Sequence, residues 1–228
     1  MIIRAVLCPS TPLLARELSG REPVLPELRD ACAAAAGRLV KGDCEVVAVV
    51  GAGPATKAWD PDSRLDLPAY APAPGTAAGT PEVPLALGLG ALLLDDAGYR
   101  GARLLQAVAE EEPPAACRAL GRKLADEARR TGLLVIGDGS NRRGASAPGH
   151  FDERAAPFDA AVERAVRAGD MADLAALDPV LARDLVATGR AAWQVLAGAF
   201  EGTHPQAEVL YSGDPFGVAY LVAALEPV

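Results

Sequence analysis

Leu133-Leu-Val-Ile-Gly-Asp-Gly-Ser-Asn-Arg-Arg-Gly144 decides how the rest of the chain is read. An apolar run ends abruptly in a small, polar, Gly-rich turn. Val135 and Ile136 read as a buried parallel strand, and Gly137 to Gly144 as the loop leaving its carboxyl end. In open α/β sheets ligands bind at that end. The loop carries a carboxylate (Asp138), a hydroxyl (Ser140), an amide (Asn141) and two guanidiniums (Arg142, Arg143). It has no histidine.

Outward from this strand, similar runs alternate with helical patterns. Ile2 to Leu7 and Glu45 to Val50 read as strands, and Arg103 to Val108 as a further one. Helical spacing covers Pro26 to Val40, Leu85 to Asp96 and Pro113 to Arg130, the last with proline tolerated in its first turn. Residues 51–84 hold seven prolines and little periodicity, which predicts a functional loop or a cover over the sheet edge. From Glu153 the chain is helical for about fifty residues. Asp178-Pro179 marks a helix start, and Gly189 separates that helix from Ala191 to Phe200. Strands at Glu208 to Ser212 and Gly217 to Leu225 flank the turn Gly213-Asp-Pro-Phe216. The predicted fold is α/β: a single domain over residues 1–228, with a mostly parallel central sheet, helices on both faces, and an antiparallel strand pair near the C-terminus.

Composition limits the function. The chain has 228 residues, half of them hydrophobic, and a formal net charge of -8. An acidic balance argues against a nucleic-acid backbone as partner, because phosphate binding needs a basic face. The longest apolar stretch, near Leu85 to Leu94, is too short and Gly-rich to span a bilayer, and Cys8-Pro-Ser-Thr-Pro12 interrupts the first apolar run before it makes a signal-peptide core. The expectation is a cytoplasmic protein with no nucleic-acid or membrane partner, compatible with a homodimer. None of the four cysteines has CxxC spacing, so no zinc-ribbon or thioredoxin motif is present. There are only two histidines, His150 and His204. Zinc and non-haem iron sites usually take two or three imidazoles, and a Ser-His-Asp triad needs one. Ser140 also lacks the G-x-S-x-G elbow, and Thr56 breaks a dinucleotide fingerprint begun by Gly51 and Gly53.

The predicted strand ends bring candidate groups to one edge of the sheet. The first supplies Cys8, Ser10 and Thr11, the second Gly51-Ala-Gly-Pro54, and the third Asp138, Ser140 and Asn141. The late turn adds Asp214. Asp138, Ser140 and Asn141 are the candidate catalytic groups. Cys8, Ser10, Gly51, Gly53, His150 and Asp214 are candidate ligand-binding residues. Each also has a plainer role, as a turn former, a packing glycine or a surface loop residue.

Several segments together resemble the LigB-like branch of the class III extradiol ring-cleavage dioxygenase superfamily, in particular its short actinobacterial-type members. They are Cys8-Pro-Ser-Thr-Pro-Leu-Leu14, Val47-Ala-Val-Val-Gly51, Gly137 to Arg143, Ala147-Pro-Gly-His-Phe-Asp-Glu-Arg-Ala-Ala-Pro-Phe-Asp-Ala-Ala-Val162, and Tyr211-Ser-Gly-Asp-Pro-Phe-Gly-Val-Ala-Tyr220. Gly137 to Val162 is the most specific. The resemblance implies a non-haem Fe(II) site held by two histidines and a carboxylate, with positions open for substrate and dioxygen, and a further histidine as acid/base. It puts Ser10, Gly51 to Pro54 and Asn141 where such relatives carry histidines, and Asp214 loosely at the carboxylate. The expectation is therefore no metal and no cofactor, and a small-molecule-binding protein or pseudoenzyme whose ligand is aromatic by the resemblance. The alternatives are an active Fe(II) ring-opening dioxygenase with substitute ligands, and an interaction or scaffold protein.

Overall fold

The computed structural model describes residues 1–19, 24–70, 81–145 and 147–228. In chain order its elements are β1 (Ile2–Cys8), α1 (Pro26–Lys41), β2 (Val46–Gly53), β3 (Lys57–Trp59), α2 (Leu67–Tyr70), α3 (Leu85–Asp96), β4 (Ala102–Ala109), α4 (Pro114–Ala125), β5 (Thr131–Ile136), α5 (Ala155–Ala168), α6 (Met171–Ala175), α7 (Pro179–Asp184), α8 (Arg190–Ala199), β6 (Gln206–Gly213) and β7 (Tyr220–Glu226). The seven strands form one sheet in the order β3-β4-β2-β5-β1-β7-β6. β4, β2, β5 and β1 are parallel, while β3 and the β7–β6 pair are antiparallel additions at the two edges.

Strand periodicity builds two cores from the same residues. Ala5 and Leu7, Ala48 and Val50, and Leu133 and Val135 face α4, α5 and α8. Val6 and Cys8, Val47 and Val49, and Leu134 and Ile136 face α1 and α3. Successive side chains point to opposite faces, so a strand covered on both sides must be apolar throughout. That is why β2 and β5 carry no alternation of polar residues.

Three predicted elements change at their edges. The 51–84 segment is not structureless. It contains α2 and the edge strand β3, whose Lys57 to Trp59 pair with Ala107 to Leu105 and whose Lys57 ammonium lies 4.4 Å from the Trp59 ring. Residues 71–80 of that segment lie outside the described ones. α4 stops at Ala125, earlier than its predicted end, because Glu127 to Arg130 turn back toward the sheet and Arg130 pairs with Asp43. β5 begins at Thr131, two residues ahead of the apolar run quoted at Leu133. Among the described residues no helix is long and apolar enough to cross a membrane.

The helix layer over α8 depends on glycine. α4 and α8 meet backbone to backbone, so a Cβ at Gly121 would overlap the Val195 carbonyl and one at Gly198 would overlap the Arg118 carbonyl. Gly198→Ala should therefore lose more than about 2 kcal/mol in urea denaturation, because the helices must separate. Gly37→Ala, in α1 with open space where its Cβ would go, should instead gain roughly 0.5–1 kcal/mol from helix propensity.

Candidate functional site

β5 ends by feeding its backbone into two neighbours. The Gly137 N–H donates to the Cys8 carbonyl at 3.0 Å and extends the parallel ladder. A Cβ at Gly137 would overlap Gly189, so only glycine lets the start of α8 approach this strand end. Asp138 then takes hold of both sides. Its carbonyl accepts from the Gly189 N–H at 2.9 Å, and its own N–H reaches Thr188 Oγ1 at 3.4 Å. Its carboxylate Oδ1 accepts from the Ser10 N–H at 2.6 Å.

This residue stands in an open cleft of about 690 Å³ over the carboxyl ends of the parallel strands. Ser10 and Asp138 form one wall with Thr188. Gly53 and Pro54 leave β2 opposite, Pro84 to Ala86 lead into α3, and Glu110 and Glu111 follow β4. The charged side chains lining it are all acidic. Burial pushes the Asp138 carboxyl up to about 7, and the Ser10 N–H only partly opposes this. A carboxyl that titrates near neutrality in a cleft is suited to holding or moving a proton.

The acidic rim is held by a buried cation. Arg190, 3% exposed, donates to the Glu110 and Glu112 carbonyls and, at 3.0 Å, to Gln194 Oε1. Gln194 Nε2 in turn donates to the Ala175 and Leu177 carbonyls at 3.1 and 3.0 Å. Carbonyl dipoles thus satisfy the guanidinium, and the loop after β4 is tied to α8 and α6.

Beyond Asp138 the loop passes away from this cleft. Gly139 N–H donates to the Ala219 carbonyl at 2.9 Å, and the Ala219 N–H donates to the Ser140 carbonyl at 2.8 Å. Ser140 is fully buried, and its N–H and hydroxyl both donate to Asp159, at 2.8 and 2.5 Å. Arg143 pairs with Asp214 at 3.0 Å and approaches Asp159 at 3.6 Å. Burial raises the Asp159 carboxyl, against the pull of Ser140 and Arg143.

The candidate residues therefore divide. Ser10, Gly53 and Asp138 share the cleft. Gly51 is buried beneath α3, where a Cβ would overlap Ala86. Cys8 points the other way, into the α1 core, because the strand's period of two sends it opposite to Leu7. Its thiol meets Cys32, and that contact together with burial raises its pKa. Ser140 anchors the loop from the far side. Asn141 is spent on the turn: its N–H donates to the Leu185 carbonyl, its carbonyl accepts from the Gly149 N–H, and among the described residues its Oδ1 finds no partner. His150 is an exposed left-handed turn residue that lines neither cavity of this region. Asp214 belongs to a second cavity behind the loop. Glu110, Glu111, Thr188, Arg190 and Asp159 went unrecognised in the sequence. The string Thr188-Gly189-Arg190 ahead of an apolar helix was the available signal for two of them.

The residues present do not suit iron. Among the described residues no three His, Cys, Asp or Glu side chains gather to hold a metal ion. The cleft offers carboxylates, hydroxyls and carbonyls but no imidazole, whereas the facial triad needs two. His204 is exposed next to the start of β6, at the opposite end of the sheet.

No family model matches the chain, and no curated protein does. A solved structure is similar: the uncharacterized protein JW3007 from Escherichia coli K12, at 16% identity and a TM-score of 0.59, covering 98% of this chain and 99% of that one. The likeness is one of fold along the whole length.

Asp138 makes stability depend on pH with a definite sign. Unfolded, its carboxyl titrates near 3.9; folded, near 7. Between about pH 4 and pH 7 the unfolded chain releases a proton that the folded chain keeps, so this group's contribution to stability falls as pH rises through that window. Asp138→Asn, which keeps an acceptor for the Ser10 N–H, should match the parent's melting temperature near pH 4 and exceed it near pH 8. A difference that stays constant over this range would rule out the raised carboxyl.

Proposed function

We propose that the chain is a small-molecule-binding protein on a LigB-like scaffold that has abandoned iron chemistry, with its ligand in the acidic cleft against Asp138. The observation that carries this reading is the Asp138 carboxyl itself. It is held by Ser10, flanked by the start of α8, faces the cleft, and titrates near 7. Below that pH it donates a hydrogen bond to a ligand hydroxyl, and above it only accepts. The same group could take a proton from a bound hydroxyl, which is the chemistry the scaffold retains without a metal.

Glu110 and Glu111 set the ligand's charge. With no basic side chain among the described residues of the lining, an anionic ligand meets repulsion and finds no guanidinium fork there. The cleft suits a hydroxylated molecule that carries no negative charge. Aromatic diols are the probes that the resemblance supplies.

Catechol and its carboxylated analogue protocatechuate test this directly by NMR titration of the labelled protein. Catechol should shift the amides of Ser10, Gly53 and Thr188 saturably, and protocatechuate should bind at least about tenfold more weakly. Asp138→Asn should remove the pH dependence of catechol binding around neutrality. Anaerobic loading with Fe(II) followed by metal analysis completes the experiment. Much less than one iron per chain is expected. One stoichiometric iron, lost in Asp138→Asn and accompanied by catechol-dependent oxygen uptake, would overturn the proposal.

A further inference from the structure

α4, α6 and the connection from α8 into β6 border a further cavity of about 380 Å³. It shares no residue with the acidic cleft. Met171 and Ala197 close its base, and Ala172, Ala175 and Ala176 remain accessible along one side. Arg118 stands over this apolar side from α4, and Glu201, Thr203 and His204 form the rim. Small-molecule sites have this character, with a few polar groups orienting the ligand on an otherwise apolar lining.

The polar groups have a sign. One turn further along α4, Arg122 pairs with Glu201 at 2.8 Å. Arg118 has no such partner. Among the described residues no carboxylate meets its guanidinium, and its Nε is buried without an acceptor. Its terminal nitrogens are not buried, so they are the part that an incoming molecule can reach. The root of the side chain is fixed, because the Arg118 backbone lies directly against Gly198 of α8. A half-buried guanidinium without a counter-charge is costly to keep, and a chain of net charge -8 has acids to spare for it. The acid on the described lining, Glu201, is already occupied by Arg122. The Thr203 hydroxyl is spent on the Phe200 carbonyl at 2.8 Å. What the cavity has left to offer is donors: the terminal nitrogens of Arg118 and a ring N–H of His204.

We propose that this cavity is a second ligand site, one that takes a carboxylate carried on a short aliphatic body. The carboxylate accepts two parallel hydrogen bonds from the terminal nitrogens of Arg118 and a third from His204, and the aliphatic part lies on Ala172, Ala175 and Ala176. A guanidinium presents such paired donors at the spacing of carboxylate oxygens. The site is opposite in sign to the cleft beside Asp138 and does not rest on the function assigned there.

Butyrate is the probe, with butyramide as the matched neutral control and acetate as the truncated one. Titrated into the isotope-labelled full-length protein at pH 7, butyrate should shift the amides of 171–176 and 201–204 saturably, with a millimolar dissociation constant. The amides of Ser10, Gly53 and Thr188 should not move. Butyramide has the same shape and no charge, and should bind at least about tenfold more weakly. Acetate lacks two methylenes and should bind at least about threefold more weakly, since each one fully buried is worth about fourfold. Arg118→Gln should weaken butyrate by more than about tenfold. Ala172 is exposed, so Ala172→Trp should fill the cavity and abolish binding without touching the core, which preserves the test if Arg118→Gln folds poorly. Absence of saturable butyrate shifts, equal affinity for butyrate and either control, or full binding to folded Arg118→Gln or Ala172→Trp protein would each overturn the proposal.

Discussion

Asp138 is gripped from both neighbours at once, and the site depends on that grip. Its carboxylate receives the Ser10 N–H, its carbonyl receives the Gly189 N–H, and its own N–H reaches Thr188. The ends of β1 and β5 and the beginning of α8 are thereby fixed to one residue. The arrangement needs Gly137 and Gly189 to touch without side chains between them. It also explains why a carboxyl can be kept where its charge is disfavoured. Backbone bonds hold the residue in place whether or not the side chain is ionised, so its proton is not committed to structure.

The loop that follows is a partition. Asp138, ahead of it, belongs to the open cleft, and Gly139 and Arg143 belong to the chamber behind. The two sides differ in how they treat charge. The cleft exposes acidic side chains and, among the described residues, has no basic one on its lining. The chamber neutralises its acids in part with Arg143 and sets them against Trp193. Ser140 sits inside the partition and holds it to α5 through Asp159.

Much of the fold was legible because strand and helix periods are local. α3 runs over the residues its apolar pattern indicates, and β2 and β5 read as buried on both faces. β3 was not legible. A strand of Lys57 to Trp59 carries no period of its own and exists because β4 offers an unpaired edge. The site was only half legible. Strand ends correctly brought Ser10, Gly53 and Asp138 together, since parallel strands end on one side of a sheet. Ser140 and Asp214 were misplaced because the side a residue takes there depends on the path of the loop, which is not written in spacing, whereas the strand's period of two already sets Cys8 on the face opposite to Leu7. Glu110 and Glu111 looked like any exposed acidic run. Their place comes from Arg190, about eighty residues away, which holds the Glu110 and Glu112 carbonyls on either side of Glu111.

The order of the strands also governs how the molecule can assemble. β1 precedes the other six strands in the sequence, yet its ladder partners are β5 and β7, and β2 pairs with β5 and β4 rather than with β1. A nascent chain that has emerged only as far as α4 therefore has β1 and α1 with no strand to join. Thr131 to Ile136 is the insert that turns two unconnected pieces into a sheet. Contacts of such long sequence separation slow folding and leave apolar edges open in the interim. The segment that carries the candidate site is thus also the one whose arrival closes the core.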